Sequence, residues 1–465
     1  MQPFSYARST YGRLLPPIEL PFSYGAMEQL GLSMESDVTR MPDKPGPPPP
    51  PKVAYTYFGQ FIVHDLTRDD TPLFQNPLPE PDAVLNHRTP FLDLDSLYGR
   101  GPFSEDSDLY EADGASLKVG IVKTEHGQTF DVPLDPSTSQ PLLADDRNNE
   151  NIIIRQIHAI FLKLHNLAVA ELRGSVPDPE LFEKVRQRVR WQYQWLVRHD
   201  YLAKICNPDI YDELINKGNT RIDWGNRFAI PVEFARAAAR FGHSMVRDTY
   251  DLNRAKLEFP VRKIFEEAHK PKELDPALAI DWRRFTRDPA HSIDTAIVSA
   301  LFHLSPKSIC LFVASSSPTD PNALPVRTLY RGIEMKIPTG ETVAAWLDAS
   351  AVLTERPPKD DYDPFKALRE LQLVGRTPLW YYILLEAELN EKGRLLGAVG
   401  SRLVAEVIEG SLHADPDSII TQLQHDPKWR PELWSSAGGK VRIDRFQQLT
   451  AVVGLPDPHI AQFGR

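Results

Sequence analysis

A glutamine and a histidine stand one helical turn apart in residues 57–67, which read YFGQFIVHDLT. Gln60 and His64 are four residues apart, so they share one face if the segment is helical. Gly59 lacks a side chain and would let a flat ligand approach that face. A neutral imidazole can take a proton from one atom and return it to another. A lone histidine on a partly apolar helix is more often a packed core residue, so this segment alone leaves both interpretations open.

Two other polar runs contain residues that could complete a site around His64. The run DDRNNEN at 145–151 places Arg147 and Glu150 three residues apart at a predicted helix start, where capping and ion pairing are the alternative explanation. The run TPFLDLDSLYG at 89–99 is rich in oxygen atoms. Together with Asp65, this run offers oxygen ligands that suit Ca²⁺, namely Thr89, a carbonyl near Phe91, Asp93 and Asp95. An ordinary polar loop is the alternative explanation.

The elements that must position these residues are predicted to be mostly helices. Apolar residues recur at steps of three and four, which is typical of α-helices, and strands are expected to be few and short. The predicted helices cover 54–66, 150–172, 178–200, 231–247, 377–390 and 399–409, with long loops at 66–110 and 248–290. Residues 1–51 form a proline-rich arm that ends in Pro47 to Pro51, and 52–465 form one large, mainly α domain.

Composition excludes several classes of function. The chain has 465 residues, a net charge of −10 and no dense basic patch, so nucleic acid is not an expected partner. No apolar run reaches the ~18 residues that a membrane span needs. The N-terminus has no apolar core of a secretory signal, so a cytoplasmic location is expected. No sequence feature indicates an oligomeric state.

Seven blocks in order resemble the peroxidase–cyclooxygenase superfamily of animal-type haem peroxidases, and in particular its bacterial branch. Any one block would be a weak signal, and their shared order is what carries the resemblance. The blocks are GQFIVHDLT (59–67), TPFLDLDSLYG (89–99), DDRNNEN with IHAIFLKLHN (145–166), ARFGHSMV (239–246), LYRGIEMKIPTGETVA (329–344), TPLWYYILLEAE (377–388) and LGAVGSRLVAEV (396–407).

The resemblance implies a helical haem peroxidase that reduces hydrogen peroxide through an oxoferryl intermediate and oxidises small phenolic donors or halides. It makes His64 the distal histidine with Gln60 beside it, Arg147 the distal arginine and His243 the proximal iron ligand. The implied cofactors are haem b, with Glu150 able to form an ester to it, and Ca²⁺. The implied calcium ligands are Asp65, Thr89, Phe91 through its carbonyl, Asp93 and Asp95.

Three positions depart from the family pattern. Val63 stands where vertebrate members have a second ester-forming aspartate, so at most one ester, through Glu150, is expected. Thr328 replaces the asparagine that partners the proximal histidine, which alters the tuning of that ligand. Arg240 stands where fatty-acid oxygenases of the superfamily have a radical tyrosine. By its position next to the proximal segment, Arg240 is expected to be one of the haem-binding residues. The main prediction is therefore a peroxidase, and the alternative is a haem-dependent oxygenase of a lipid or natural product.

Overall fold

The structure, a computed structural model, describes residues 9–17, 22–36, 49–71, 73, 80–124, 127–218, 220–225, 228–304, 322–348, 353–358, 362–434 and 439–453. Its α-helices are α1 Tyr24–Leu32, α2 Val53–Leu66, α3 Asp95–Tyr98, α4 Ile152–Leu172, α5 Asp178–Leu196, α6 Leu202–Ile205, α7 Pro208–Tyr211, α8 Val232–Arg236, α9 Val261–Ala268, α10 Trp282–Phe285, α11 Leu324–Glu334, α12 Gly340–Trp346, α13 Lys366–Glu370, α14 Leu379–Glu391, α15 Ala398–Ala414, α16 Ile419–His425 and α17 Phe446–Val453. Shorter 3-10 segments and two π-helical turns, Val197–Tyr201 and Asp212–Asn216, connect them.

Strands are short and pair only two at a time in the described residues. The pairs are β1 Ser9–Thr10 with β3 Leu85–Asn86, β4 Gly120–Thr124 with β5 Gly127–Asp131, β6 Thr249–Tyr250 with β7 Phe259–Pro260 and β9 Glu432–Trp434 with β10 Lys440–Arg442, all antiparallel, and β2 Glu35–Ser36 with β8 Ile297–Val298, parallel. The predicted mainly helical fold with few short strands is confirmed.

Two helices at the centre of the fold were predicted within two residues of their observed bounds. In α2 almost every side chain is buried, and α4 is buried along most of its length. They pack through aromatic rings, with Phe61 stacked on Phe161 at 4.9 Å between centroids and Phe58 on the same ring at 6.3 Å. Asn151 caps α4 by accepting from the amides of its first turn. This packing fixes the direction in which α2 presents its polar residues.

The predictions for 231–247 and 248–290 are partly wrong. The single helix expected over 231–247 breaks at Ala237, which has φ −129° and ψ −73°, and continues as the 3-10 segment Ala238–His243. The guanidinium Nε of Arg240 donates to the carbonyl of Ala235 at 3.2 Å across that break. The expected loop 248–290 contains α9, because its valine, isoleucine and phenylalanine share one buried face that a loop assignment overlooked.

The described part of the N-terminal arm contacts the rest of the protein. Met27 and Leu30 of α1 are fully buried, and α1 packs against α11. β1 pairs with β3, and β2 pairs with β8. Gly46, Pro47 and Pro48 lie outside the described residues, so the polyproline end of the arm stays a prediction.

The glycine in α2 has a different role from the one the sequence predicted. A side chain at Gly59 would place its Cβ 2.4 Å from the hydroxyl oxygen of Tyr201, which packs against the helix there. The missing side chain therefore makes room for a tyrosine of the protein itself, and the prediction of space for a flat ligand at Gly59 is wrong.

One helix, α4, is long and apolar enough to cross a membrane by length and composition. In its most apolar window, 83% of the residues are buried inside the protein. A central core helix meets the same criteria, so α4 is weak evidence for a membrane span.

Candidate active site

His64 lies in the last turn of α2 with its side chain buried. Its ring Nδ1 is 2.9 Å from Oδ1 of Asn148, in the 3-10 segment Asp146–Asn149 that precedes α4. An amide oxygen only accepts hydrogen bonds, so the proton of the neutral imidazole lies on Nδ1. Nε2 then carries the lone pair and is the atom that can accept a proton.

Gln60 and Glu150 lie on the Nε2 side of His64. The Gln60 amide donates to Oε2 of Glu150 at 2.8 Å, and its own oxygen accepts from Asn151 at 3.1 Å. Oε2 of Glu150 is 3.7 Å from His64 Nε2, which is too long for a hydrogen bond. The structure thus brings together three of the predicted site residues from two separate segments of the chain.

The ring of His64 is neutral in this environment. Burial first, and then the positive charge of Arg147, lower the pKa of His64 to about 3, while the negative charge of Asp145 acts in the opposite direction. Arg88 adds a smaller lowering effect. A group with this pKa is available as a proton acceptor throughout the physiological range.

Arg147 is held against the end of α2. Its guanidinium donates to the carbonyls of Thr67 at 2.7 Å and His64 at 2.8 Å, and to both carboxylate oxygens of Asp145 at 2.9 and 2.6 Å. Carbonyls at a helix C-terminus lack partners within the helix, and a cation beside them is favourable. Arg147 therefore lies next to His64, as predicted, with most of its donors used to fix the helix end.

Asp145 connects this arginine to two others. Its side chain is fully buried and contacts Nε of Arg88 at 2.8 Å and Nη1 of Arg68 at 3.3 Å. Although burial raises it, the guanidinium groups of Arg147 and Arg88 hold the pKa of Asp145 well below its usual range. One carboxylate thus anchors three cations close to His64.

His243 ends the 3-10 segment Ala238–His243, which packs against α2, α14 and α15. Its Nδ1 is buried and has no hydrogen-bond partner among the described residues. The ring lies edge-on to Trp380 at 6.1 Å between centroids, and the Trp380 indole donates to the carbonyl of Arg240 at 3.1 Å. A side chain built on Gly242 would meet no heavy atom within 4 Å, so there is open space beside His243.

A cluster of cations surrounds this segment. It consists of Arg236, Arg240, Arg327 and Arg331. Burial is the main cause that lowers their pKa values, to about 9 for Arg236 and about 10 for Arg240 and Arg327, and the charge of Arg331 adds to each of these shifts.

Carboxylates lie close to these cations. Asp69 pairs with Arg236, and Glu334 pairs with Arg331 at 3.1 Å. The charge of Glu334 also acts on Arg327, and the charge of Glu150 acts on Arg240.

Thr328 lies in α11, and its hydroxyl donates to the carbonyl of Leu324 at 3.0 Å in its own helix. It lines a small cavity together with Arg236, Gly332 and Trp380. Since Nδ1 of His243 has no partner in the described residues, the hydrogen bond between Thr328 and His243 is absent from the structure, and that role of Thr328 stays a prediction.

The five predicted calcium ligands lie together beside the end of α2. Carboxylate oxygens of three of them lie within 4.8 Å of one another. Thr89 donates from its amide to Asp95 at 3.1 Å, and its hydroxyl is 3.5 Å from the carbonyl of Phe91. The three carboxylates are those of Asp65, Asp93 and Asp95.

The charge of this cluster is poorly compensated by the protein. Burial, and then the nearby Asp93, raise the pKa of Asp65 to about 8. Burial also raises the pKa of Asp95, although Arg88 at 3.6 Å opposes the shift. Oδ1 of Asp95 is buried without a hydrogen-bond partner among the described residues. Hard oxygen ligands crowded in this way fit a divalent cation such as Ca²⁺.

Sequence reasoning missed four residues that contact the site. Asn148 and Asp145 lie in the run DDRNNEN, where the only available signal was a concentration of polar residues before a very apolar helix. His158 lies in the apolar helix α4 and Arg236 in α8, and their sequence neighbours give no sign of a role at the site. Their roles depend on partners distant in the chain, which spacing cannot reveal.

The sequence model described as "Animal haem peroxidase" matches residues 63–310, more than half of the chain. The chain belongs to the animal haem peroxidase family. It is 25% identical over 264 residues to a "Peroxidase-like protein" of Margaritifera margaritifera, with 42% of this chain and 32% of the relative covered. It is 29% identical over 184 residues to "Peroxidase mlt-7" of Caenorhabditis elegans, with 37% and 24% covered. The chain thus matches a third or less of the length of these relatives.

Solved structures share the fold. Peroxidase A from Dictyostelium discoideum has a TM-score of 0.64 at 18% identity, with 88% of each chain covered. The fatty acid alpha-dioxygenase of Oryza sativa has a TM-score of 0.65 at 15% identity, with 90% of this chain and 78% of that chain covered. At such identities the likeness establishes the fold and leaves the reaction to be argued from the site.

The residues around His243 fit the haem that the family implies. The imidazole of His243 has a buried Nδ1 with no hydrogen-bond partner among the described residues, so the ring is not committed to another group and can serve as an iron ligand. The buried guanidinium groups of Arg236 and Arg240 beside it suit the two carboxylates that haem carries, and Nε of Arg236 has no hydrogen-bond partner among the described residues. Haem is accordingly the cofactor of this family and fits this chain's own residues.

Proposed function

We propose that this protein is a haem peroxidase that uses hydrogen peroxide to oxidise small organic donors such as phenols, with halides as further donors. The observation that carries the proposal is the hydrogen bond from Nδ1 of His64 to Asn148. Because of this hydrogen bond, Nε2 of His64 is a neutral base on the side of Gln60 and Glu150. His64 lies in α2, which packs against the segment that contains His243.

The chain's own residues can move the proton that the reaction requires. Peroxide must lose a proton from one oxygen and gain it on the other before its O–O bond breaks heterolytically. Nε2 of His64 can accept that proton and return it, and the cation Arg147 beside it favours the negative charge that develops on peroxide. When bound to His243, haem supplies the redox-active iron for the oxidation.

The proposal predicts peroxide-dependent oxidation of a phenol by the purified chain. The full chain, loaded with haem, should show a Soret band and oxidise guaiacol only when peroxide is added. A chain with haem bound but without peroxide-driven oxidation would contradict the proposal. Halide oxidation is measured in the same assay with bromide as the donor.

The alternative is a haem-dependent oxygenase of a lipid, since the same fold occurs in a fatty acid alpha-dioxygenase and the fold by itself does not separate the two reactions. Arg240, three residues before His243, argues against it because the superfamily's oxygenases are expected to have a tyrosine there. Oxygen uptake with palmitic acid, in the absence of peroxide, would support the oxygenase instead.

A single ester between haem and Glu150 is a further part of the proposal. Glu150 is the carboxylate beside the ring of His64, and the neighbouring Val63 cannot form an ester. After turnover with peroxide, part of the haem should resist extraction into acidified butanone, and the Glu150→Gln variant should release all of it. Equal extraction from both proteins would contradict the ester.

Calcium binding by the cluster of Asp65, Asp93 and Asp95 is also proposed, because the crowding of three carboxylates and the unpartnered Oδ1 of Asp95 favour a cation. A ligand that binds only the folded state at a hundredfold excess over its Kd adds about 2.7 kcal/mol to the free energy of unfolding. Chelation should therefore lower the thermal midpoint of the wild type, and added Ca²⁺ should restore it.

The calcium prediction has a matched control at an exposed aspartate beyond α3. Asp93→Asn should abolish the response of the thermal midpoint to Ca²⁺, while Asp108→Asn, at an exposed position nearby, should keep it. A response that is the same in both variants would place calcium elsewhere. Because Asp65 follows His64 directly, loss of the ion should also slow the peroxide reaction.

The bacterial origin and the cytoplasmic location stay predictions from the sequence.

A further inference from the structure

A continuous hydrogen-bond chain links two buried histidines through one asparagine. Oδ1 of Asn148 accepts from Nδ1 of His64 at 2.9 Å, and Nδ2 of the same amide is 3.1 Å from Nδ1 of His158. The side chain of Asn148 is fully buried, and His158 is 1% exposed. Water therefore has little access to any of the three groups.

His158 is a neutral hydrogen-bond acceptor at its Nδ1. Burial is the main cause that lowers the pKa of His158 to about 3, so its ring carries one proton only. An amide nitrogen can only donate, so the partner nitrogen of His158 is the unprotonated one. The single proton of His158 then lies on its Nε2.

We propose that His158, acting through Asn148, holds His64 in the tautomer whose Nε2 is free to accept a proton from peroxide. Both His158 and Asn148 are positioning residues, since neither lies against the reacting atoms. The inference deepens the proposed peroxidase function and rests on it for its consequence, although the tautomer itself does not depend on the reaction.

The direction of the chain decides the tautomer of His64. An amide has one accepting end and one donating end, so its orientation sets which nitrogen of each neighbouring ring has the proton. If Asn148 were turned over, its nitrogen would face Nδ1 of His64, and the proton of His64 would lie on Nε2. His64 would then have no lone pair directed at peroxide.

The surrounding packing keeps the three groups in place. The backbone amide of Asn148 donates to the carbonyl of Asp145 at 3.1 Å, which fixes the 3-10 turn. His158 lies on α4 with its ring edge-on to Phe61 at 6.4 Å, and Phe61 shares α2 with His64. The contact between α2 and α4 thus sets the distance that the amide of Asn148 spans.

The tautomer is measured by nitrogen NMR on the full chain with ¹⁵N in histidine only, reduced under carbon monoxide so that any bound haem is diamagnetic. A ring nitrogen with a proton resonates far upfield of one without. In the wild type, Nδ1 of His64 should have the shift of a protonated nitrogen and Nε2 that of an unprotonated one.

Variants at position 158 separate positioning from packing. His158→Phe should mix the two tautomers of His64 and lower the rate constant for peroxide by about tenfold, which is in the range for lost outer-shell partners. His158→Asn keeps an oxygen that can accept from Asn148 and should recover most of the rate. His165→Phe is the matched control, since His165 lies on the same helix but bonds Tyr98 and Ala115.

Asn148→Asp and the double variant Asn148→Asp with His158→Phe test the same proposal in case His158→Phe alone fails to fold. In Asn148→Asp, a carboxylate can only accept from His64, so it needs no partner to orient it. His158→Phe in that background should leave the tautomer of His64 unchanged, and this non-additivity supports the proposal.

Two results would overturn the proposal: an unchanged tautomer in His158→Phe, or equal rate losses in His158→Phe and His165→Phe. Absence of a Soret band would instead count against the proposed function, while the NMR arm would still decide the tautomer.

Discussion

Replacement of His64 by leucine should slow the reaction of the haem-loaded protein with hydrogen peroxide by roughly 10²- to 10⁴-fold, the usual contribution of a general acid and base. Leucine fills the volume of the ring and removes only its nitrogens. Haem should remain bound, because His243 and the arginine cluster are untouched. Stopped-flow mixing with peroxide, followed in the Soret region, measures the rate constant.

The pH dependence gives a second measure of the same group. The pKa of His64 is lowered to about 3, so the ring is neutral above pH 3 and can accept a proton there. Below pH 3 the ring is protonated and can no longer act as a base. The wild-type rate constant should therefore be constant from pH 8 to pH 5 and fall only as pH approaches 3. The His64→Leu variant should lack this acidic limb.

A buried histidine outside the site controls for packing. His165→Leu removes a ring that bonds Tyr98 and the carbonyl of Ala115 on the far part of α4. It should lower stability without a comparable loss of rate. Equal losses in the two variants would assign His64 a structural role.

The sequence predicted the elements that have a strong apolar period. The bounds of α2 and α4 were predicted within two residues because both are long and amphipathic or fully apolar. The grouping of Gln60, His64 and Glu150 and the grouping of Asp65 with the 89–99 run also agree with the structure. Helix spacing predicts that Gln60 and His64 share a face, and oxygen-ligand chemistry suggests that Asp65 joins the 89–99 run. The resemblance is what places these segments and Glu150 in one site.

The remaining parts of the site depend on contacts between distant segments. The break at Ala237 lies in a run of three alanines, a residue that favours helices, so the sequence gives no sign that a helix ends there. The side-chain oxygen of Asn148 contacts His64 on α2, and its side-chain nitrogen contacts His158 on α4. Neither hydrogen bond leaves a local pattern in the sequence. Burial of Asp145 among three arginines is likewise visible only in the folded chain.

Asp145 holds Arg147 in place, and its substitution has the largest expected effect on stability. Asp145→Asn removes the charge that faces Arg147, Arg88 and Arg68 while it keeps the shape of the side chain. Removal of one partner from a buried ion pair leaves an uncompensated charge and costs about 3–5 kcal/mol. Urea unfolding of the wild type and the variant at pH 7 measures this loss.

Asp131→Asn separates stability from the arrangement of the site. Asp131 is also buried and pairs with Arg155 on α4, away from His64. Both substitutions should destabilise the fold, but only Asp145→Asn should also slow the peroxide reaction, because Arg147 loses the carboxylate that holds it against the carbonyls of His64 and Thr67. A loss below about 1 kcal/mol for Asp145→Asn would mean that water already compensates the three cations, since exposed ion pairs contribute no more than this. The end of α2 would then be held by its own packing alone.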